Sequence, residues 1–195
     1  LCTAGVAQLA CSETQKYGHV TYFYNGNRSG MFDPQLERYI EIQSHTPPFD
    51  ARPEMRAVEI TDAVAKELST GRFGHARINL ANGDMVGHTG QFNAAVSAVE
   101  VLDECIGRIE AALLAHNGEG LITADHGNCE QMRDYDNDQP HTQHTTEHVP
   151  LIYIGAKGRS LDPDGGILAD IAPTVLAMMG LAAPAAMSGR SLLLS

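Results

Sequence analysis

The chain has 195 residues, 43% hydrophobic and 19% charged, which suits a globular domain with a sizeable core or part of a larger protein. Its formal net charge of −11 excludes a general nucleic-acid binder, because phosphate backbones select basic surfaces. An acidic chain that handles anionic substrates must neutralise them locally, as bound metal ions do.

The four cysteines, Cys2, Cys11, Cys105 and Cys129, form no CxxC pair and no framework spacing. A disulfide-stapled secreted domain is therefore not expected, and a reducing compartment is. No run of about 18 apolar residues occurs, so no membrane span is expected. The opening LCTAGVAQLAC has neither a basic n-region nor a starting Met, and reads as a partial chain rather than a signal peptide.

In chain order, HVTYFY (19–24) is β-branched and aromatic and runs into Asn25-Gly26, which predicts a strand and a turn, with a loop over 26–30. A second short strand is expected over 39–43. The segment HTPPFDARPE (45–54) loses backbone donors at three prolines and is a loop. Apolar Ala57, Ile60, Val64 and Leu68 share one face of a helix over 56–68. ARINL (76–80) is a short strand that stops before Asn82-Gly83.

Phe92, Val96, Val99, Leu102, Ile106, Ile109 and Leu113 recur at spacings of three and four, which predicts an amphipathic helix over 91–116 ended by Asn117-Gly118. LITA (121–124) and LIYI (151–154) read as fully buried strands. A last helix spans 167–180, with Pro173 tolerated near its start or at a kink. Strands alternating with helices indicate an α/β fold with a mostly parallel sheet flanked by helices, whose sites form at the carboxyl ends of strands.

Three polar clusters follow expected strands: ANGDMVGHTG (81–90), TADHGN (123–128) and PHTQHTTEHVP (140–150). Asp84 and His88, four residues apart, can face one ion from a helical turn or a tight loop. Adjacent Asp125 and His126 can serve one ion only where the backbone leaves regular strand geometry. His141 and His144 lie in a segment too polar for a core. Carboxylates and imidazoles without thiolate suit Mn²⁺ or Zn²⁺, and the number of candidate ligands suits two ions performing phosphoryl transfer. His19, His45, His75 and His116 read as solvated or hydrogen-bonded residues, Cys129 as a small buried hydrophobe, and Asp134, Asp136 and Asp138 as a solvated loop. There is no GxSxG elbow, P-loop or GxGxxG.

The segments SETQKYGHVTYFYNGN, NGDMVGHTG, TADHGNCEQM, HTQHTTEHVPLIYIG and DIAPTVLAMMG, in this order, resemble the cofactor-independent phosphoglycerate mutases of the alkaline phosphatase superfamily. The resemblance implies an alkaline phosphatase-like fold, with residues 1–195 forming the C-terminal portion of its metal-binding phosphatase domain. It implies two Mn²⁺ ions, one held by Asp84, His88 and His144 and a second to which Asp125 and His126 contribute. His141 is then a supporting or loop residue. Lys16, a surface charge by itself, matches a lysine that contacts the substrate phosphate.

The family's nucleophilic serine, its early segment and its inserted transferase domain have no counterpart in these residues; Ser12, Ser29 and Ser44 lie in the wrong context. The expected activity is interconversion of 3- and 2-phosphoglycerate through a phosphoserine, by a cytoplasmic protein that is monomeric at full length. This chain alone is expected to be inactive. The rival expectations are a related metal-dependent phosphatase or phosphopentomutase, and a non-catalytic metal-binding fragment.

Overall fold

The computed structural model describes residues 1–194. In chain order the elements are β1 (Gln8–Glu13), β2 (Glu37–Ile42), α1 (Ala57–Leu68), β3 (His75–Ile78), α2 (Asn82–Gly87), α3 (Phe92–Leu114), β4 (Glu119–Thr123), β5 (Arg133–Asp134), β6 (Gln139–Pro140), β7 (Leu151–Gly155) and α4 (Ile171–Met178). Two compact units form, residues 1–112 with 127–145, and residues 113–126 with 146 onward. No helix of the described residues is long and apolar enough to cross a membrane.

The first unit is built on a parallel three-stranded sheet of order β2-β1-β3, in which Gln8 is level with both Glu37 and His75. Ile60 and Val64 of α1 are fully buried against Cys11 of β1, and Ile40, Ile42, Ile78 and Ile109 of α3 close the same cluster. The parallel, helix-flanked sheet expected from the sequence is the one that forms.

Its central strand, however, was not among those expected. All six residues of β1 are buried, including Gln8, Ser12 and Glu13, so no alternation marks it. Its polar side chains are hydrogen-bonded instead. Ser12 Oγ donates to the Asn79 carbonyl at 3.1 Å, and Glu13 accepts from Ser44 Oγ at 2.8 Å.

The expected strand at 19–24 is corrected to one π-helical turn, His19–Phe23. Thr21 Oγ1 donates to the Tyr17 carbonyl at 2.7 Å, and the Asn25 amide donates to the Thr21 carbonyl at 3.0 Å. Arg77 Nε donates to the Val20 carbonyl at 2.6 Å, and its guanidinium lies 4.1 Å from the Tyr24 ring centre. These contacts outweigh a strand preference that depends on having a pleated neighbour. The turn after it holds as expected, with Gly26 and Asn27 both at positive φ.

α1 and α3 form within a few residues of their expected bounds, and Asn117 ends the long helix at φ 53°. The buried stripe of α3 is displaced from the expected one. Ala95, Ala98 and Cys105 are buried, while Phe92, Val96 and Val99 are exposed. Small side chains let the helix approach closely, and the large ones flank an apolar groove of about 230 Å³.

In the second unit β4 and β7 pair antiparallel, Glu119 opposite Gly155 and Thr123 opposite Leu151. The expectation that both are fully buried is corrected. Each is part-exposed, and Ile152 is 49% exposed, because each strand of a two-stranded ribbon has just one neighbour within the unit. The expected last helix splits into a 3₁₀ turn, Leu168–Asp170, and α4. Pro173 sits in the first turn of α4, where its missing amide forfeits no helical bond.

Candidate metal centre

The chain leaves β3 at Ile78 and enters α2 four residues later, so Asp84 and His88 emerge beyond the carboxyl end of a parallel strand. Fully buried Asn82 fastens the start of α2 to α3, its Nδ2 donating to the Ala98 carbonyl at 2.9 Å. One helical turn brings His88 Nε2 to 3.1 Å from Asp84 Oδ1. His144, from the loop after β6, places Nε2 at 3.0 Å from the same oxygen and 3.0 Å from His88 Nε2. His88 Nδ1 lies 2.7 Å from the Thr142 carbonyl, which can only accept. Nδ1 therefore carries a proton, and Nε2, turned toward Asp84, is the ring nitrogen left to ligate an ion.

Lys16 follows β1 on a short 3₁₀ turn and points Nζ at Asp84 Oδ2 from 2.7 Å. It is 8% exposed, so the surface-charge reading of this residue is corrected. Asn128, also buried, donates Nδ2 to Asp84 Oδ1 at 2.9 Å and to the Asp84 carbonyl at 3.3 Å. Burial pushes the Asp84 carboxyl up, but the hydrogen bonds from Lys16 and Asn128 and the charges of Lys16 and His88 outweigh it and hold the pKa at about 2. Asp84 is thus a permanent carboxylate with imidazoles on its exposed side and a cation and an amide behind.

The donor set fits a divalent ion. Two donors about 2.1 Å from one ion and at right angles to each other stand about 3.0 Å apart, the spacing found among Asp84 Oδ1, His88 Nε2 and His144 Nε2. A carboxylate and two imidazoles, each with Nε2 turned toward the carboxylate, suit Mn²⁺ or Zn²⁺.

Asp125 and His126 lie in the second unit, in a bend just beyond the end of β4 at Thr123. The backbone there is not a strand, and His126 Nε2 approaches Asp125 Oδ1 to 3.6 Å. His141 does not join the Asp84 cluster through any described contact. Its amide donates to the Met132 carbonyl at 3.0 Å and its Nδ1 is buried without a partner. Cys129 is half-buried rather than buried, and its thiol donates to the Gly83 carbonyl at 2.7 Å.

His75 and His45 are hydrogen-bonded as expected, His75 to the Tyr24 hydroxyl at 3.0 Å and His45 to Arg52 at 3.2 Å. Asn128 was missed by the sequence reading. Its signal was present in TADHGN, next to the Asp-His pair, but an amide carries no charge pattern to single it out.

The metalloenzyme superfamily profile matches residues 2–183. The chain belongs to this superfamily. It is 50% identical over 191 residues to the 2,3-bisphosphoglycerate-independent phosphoglycerate mutase of Psychrobacter arcticus, covering 98% of this chain and 34% of the relative. The Chromobacterium violaceum protein of the same name is 51% identical over 195 residues, covering 99% of this chain and 38% of the relative. Among solved structures, the Leishmania mexicana phosphoglycerate mutase crystallised at low cobalt concentration superposes with a TM-score of 0.93 at 38% identity. That match covers 100% of this chain and 38% of the other.

These matches bear out the resemblance read from the motifs. The chain spans little more than a third of the length of these relatives. Membership of the metalloenzyme superfamily, together with the carboxylate–imidazole cluster, indicates that the chain binds a divalent metal ion.

Proposed function

We propose that these residues form the C-terminal part of the metal-binding phosphatase domain of a 2,3-bisphosphoglycerate-independent phosphoglycerate mutase. The whole protein would interconvert 3- and 2-phosphoglycerate in cytoplasmic glycolysis as a monomer. The observation that carries the reading is the triangle of Asp84, His88 and His144 with the Lys16 ammonium 2.7 Å behind the carboxylate. It rests further on the relatives' shared name at about half identity.

In this reading Asp84, His88 and His144 hold one ion, and Asp125 and His126 contribute to a second. Both ions would be Mn²⁺, with Zn²⁺ or another divalent ion as the substitute. When bound, such ions neutralise phosphate charge and make an attacking hydroxyl more acidic. Lys16 supplies a fixed positive charge to a phosphate oxygen, and its pairing with Asp84 keeps the ammonium desolvated and aimed before substrate arrives. The Asp84 carboxylate, ionised down to about pH 2, needs no proton removed to serve at neutral pH. The phosphoserine would form on a serine outside these residues, and water must be kept from it between the two half-reactions.

The test compares this chain with the intact protein that carries it. With Mn²⁺ the intact protein should interconvert the two phosphoglycerates without added 2,3-bisphosphoglycerate, while the purified chain alone shows no turnover. Preference for a phosphopentose, or mutase turnover by the chain alone with contamination excluded, would overturn the proposal.

A further inference from the structure

Asp84 is gripped from behind by a segment that no ligand role explains. Asn128 sends one amide group to two acceptors of the same residue, the Asp84 carboxylate at 2.9 Å and the Asp84 carbonyl at 3.3 Å. The next residue, Cys129, donates its thiol to the Gly83 carbonyl at 2.7 Å. Two consecutive side chains thus fasten two consecutive residues of α2. The fit leaves no slack: a Cβ on Gly87 would stand 2.2 Å from Asn128 Oδ1 and 3.2 Å from Cys129 Sγ. Asn128 Oδ1 is itself buried without a hydrogen-bond partner. Flipping the amide would turn that oxygen against the Asp84 carboxylate, so the donor orientation is the one the site requires.

Leaving a buried acceptor unmatched carries the desolvation penalty of that group with nothing to offset it. A packing role alone gives no reason to keep an amide here rather than an apolar side chain. The geometry points to Asn128 as a positioning residue: it fixes the Asp84 side-chain torsion so that Oδ1 is presented to the two imidazoles, and Gly87 is kept without a Cβ so that Asn128 can reach. Asn128 needs no contact with substrate or metal for this. By holding one Oδ1 lone pair from behind, it leaves the other directed at the open side of the triangle, and the ion meets a carboxylate that has already lost its rotational freedom. This inference rests on the metal-binding reading of Asp84, His88 and His144 proposed above.

Mn²⁺ titration calorimetry and the electron paramagnetic resonance spectrum of the bound ion test it, on the unaltered chain, Asn128→Ala, Gly87→Ala and Asp84→Asn. Asn128→Ala is expected to weaken Mn²⁺ by about 10- to 100-fold, the range for outer-shell partners of metal ligands, and to change the spectral line shape. Gly87→Ala should move both readouts the same way, because its methyl displaces the Asn128 amide. It also serves if Asn128→Ala does not fold. A purely structural role would lower the thermal midpoint of the metal-free chain and leave affinity and line shape alone. Affinity within about twofold of the unaltered chain in either variant, while Asp84→Asn abolishes binding, would overturn the inference and leave the metal site standing. Equal binding by the unaltered chain and Asp84→Asn, or none by either, would overturn the metal reading and this inference with it.

Discussion

Two carboxylates, one in each unit, are held at nearly the same low pKa by different company. Asp84 and Glu119 are both ionised down to about 2. Glu119 sits at the start of β4 and accepts from Tyr153 Oη at 2.7 Å, from Lys157 Nζ at 2.5 Å, and from Arg159. Burial raises its pKa, and the hydrogen bonds from Arg159, Lys157 and Tyr153 more than reverse that. Its oxygens meet donors whose protons are permanent at neutral pH, so it has no lone pair left to offer and no proton to exchange. It clasps the β4–β7 ribbon to the turn that follows.

Asp84 has one such cation, Lys16, and on its other oxygen two imidazoles that can give up their protons. A depressed pKa therefore marks both places and distinguishes neither. What separates a site from a clasp is whether the partners can leave.

That contrast can be broken most sharply at Asp84. Asp84→Asn keeps an acceptor for Lys16 but removes the charge, and His144→Ala removes one imidazole. Each is expected to weaken Mn²⁺ binding by about 100-fold or more, beyond the range of outer-shell changes. Glu119→Gln should leave affinity within about twofold, and a larger loss in calorimetric titration would erase the distinction between the two carboxylates.

A change of pH gives the next largest effect. Protons compete with the ion for the ring nitrogens, so Mn²⁺ affinity should fall as pH drops from about 7 to about 5, most steeply if both imidazoles are ligands. Asp84 stays ionised throughout that range and adds nothing to the slope. An affinity flat between pH 7 and about pH 5 would remove the imidazoles from the ligand set.

The smallest effect is on stability. Glu119→Gln should cost about 1–3 kcal/mol by loss of charge-assisted hydrogen bonds, read from denaturant unfolding of the metal-free chain. The folded pKa of Glu119 lies below its unfolded value of about 4.3, so its contribution is complete above that pH and disappears as pH falls toward about 2. The variant should accordingly lose less stability than the unaltered chain across that acid window. An equal loss would show the clasp to be energetically idle.

Much of the site was legible beforehand because its residues are charged or titratable and fall directly after strand signals. Asp84 and His88 were placed together by their four-residue spacing alone, and a helical turn does bring them to 3.1 Å. Lys16 was not recoverable from local pattern. A lysine between Gln15 and Tyr17 reads as solvated, and its burial depends on Asp84, 68 positions away in the chain. Asn128 escaped for a similar reason, since a neutral amide announces nothing until its acceptors are known.

In the fold, helices with strong periodicity were recovered within a few residues, while the central strand β1 was invisible. A strand covered on both faces need not alternate, and here it carries Gln8, Ser12 and Glu13 in full burial. The HVTYFY segment erred in the opposite sense. Its residues favour a strand, but Arg77 and Thr21 supply the hydrogen bonds that make a π-helical turn the better solution.

By itself the sequence determined the α/β class, the positions of α1 and α3, the turn and stop residues, and the three polar clusters from which a metal site had to be drawn. These follow from periodicity and side-chain chemistry, which act over a few residues. Tertiary structure alone decided which face of α3 is buried, which strand lies at the centre of the sheet, and that Lys16 and Asn128 close on Asp84 from behind. Those outcomes turn on partners far apart in the chain, and a side chain's burial and charge state are properties of the pair rather than of either residue.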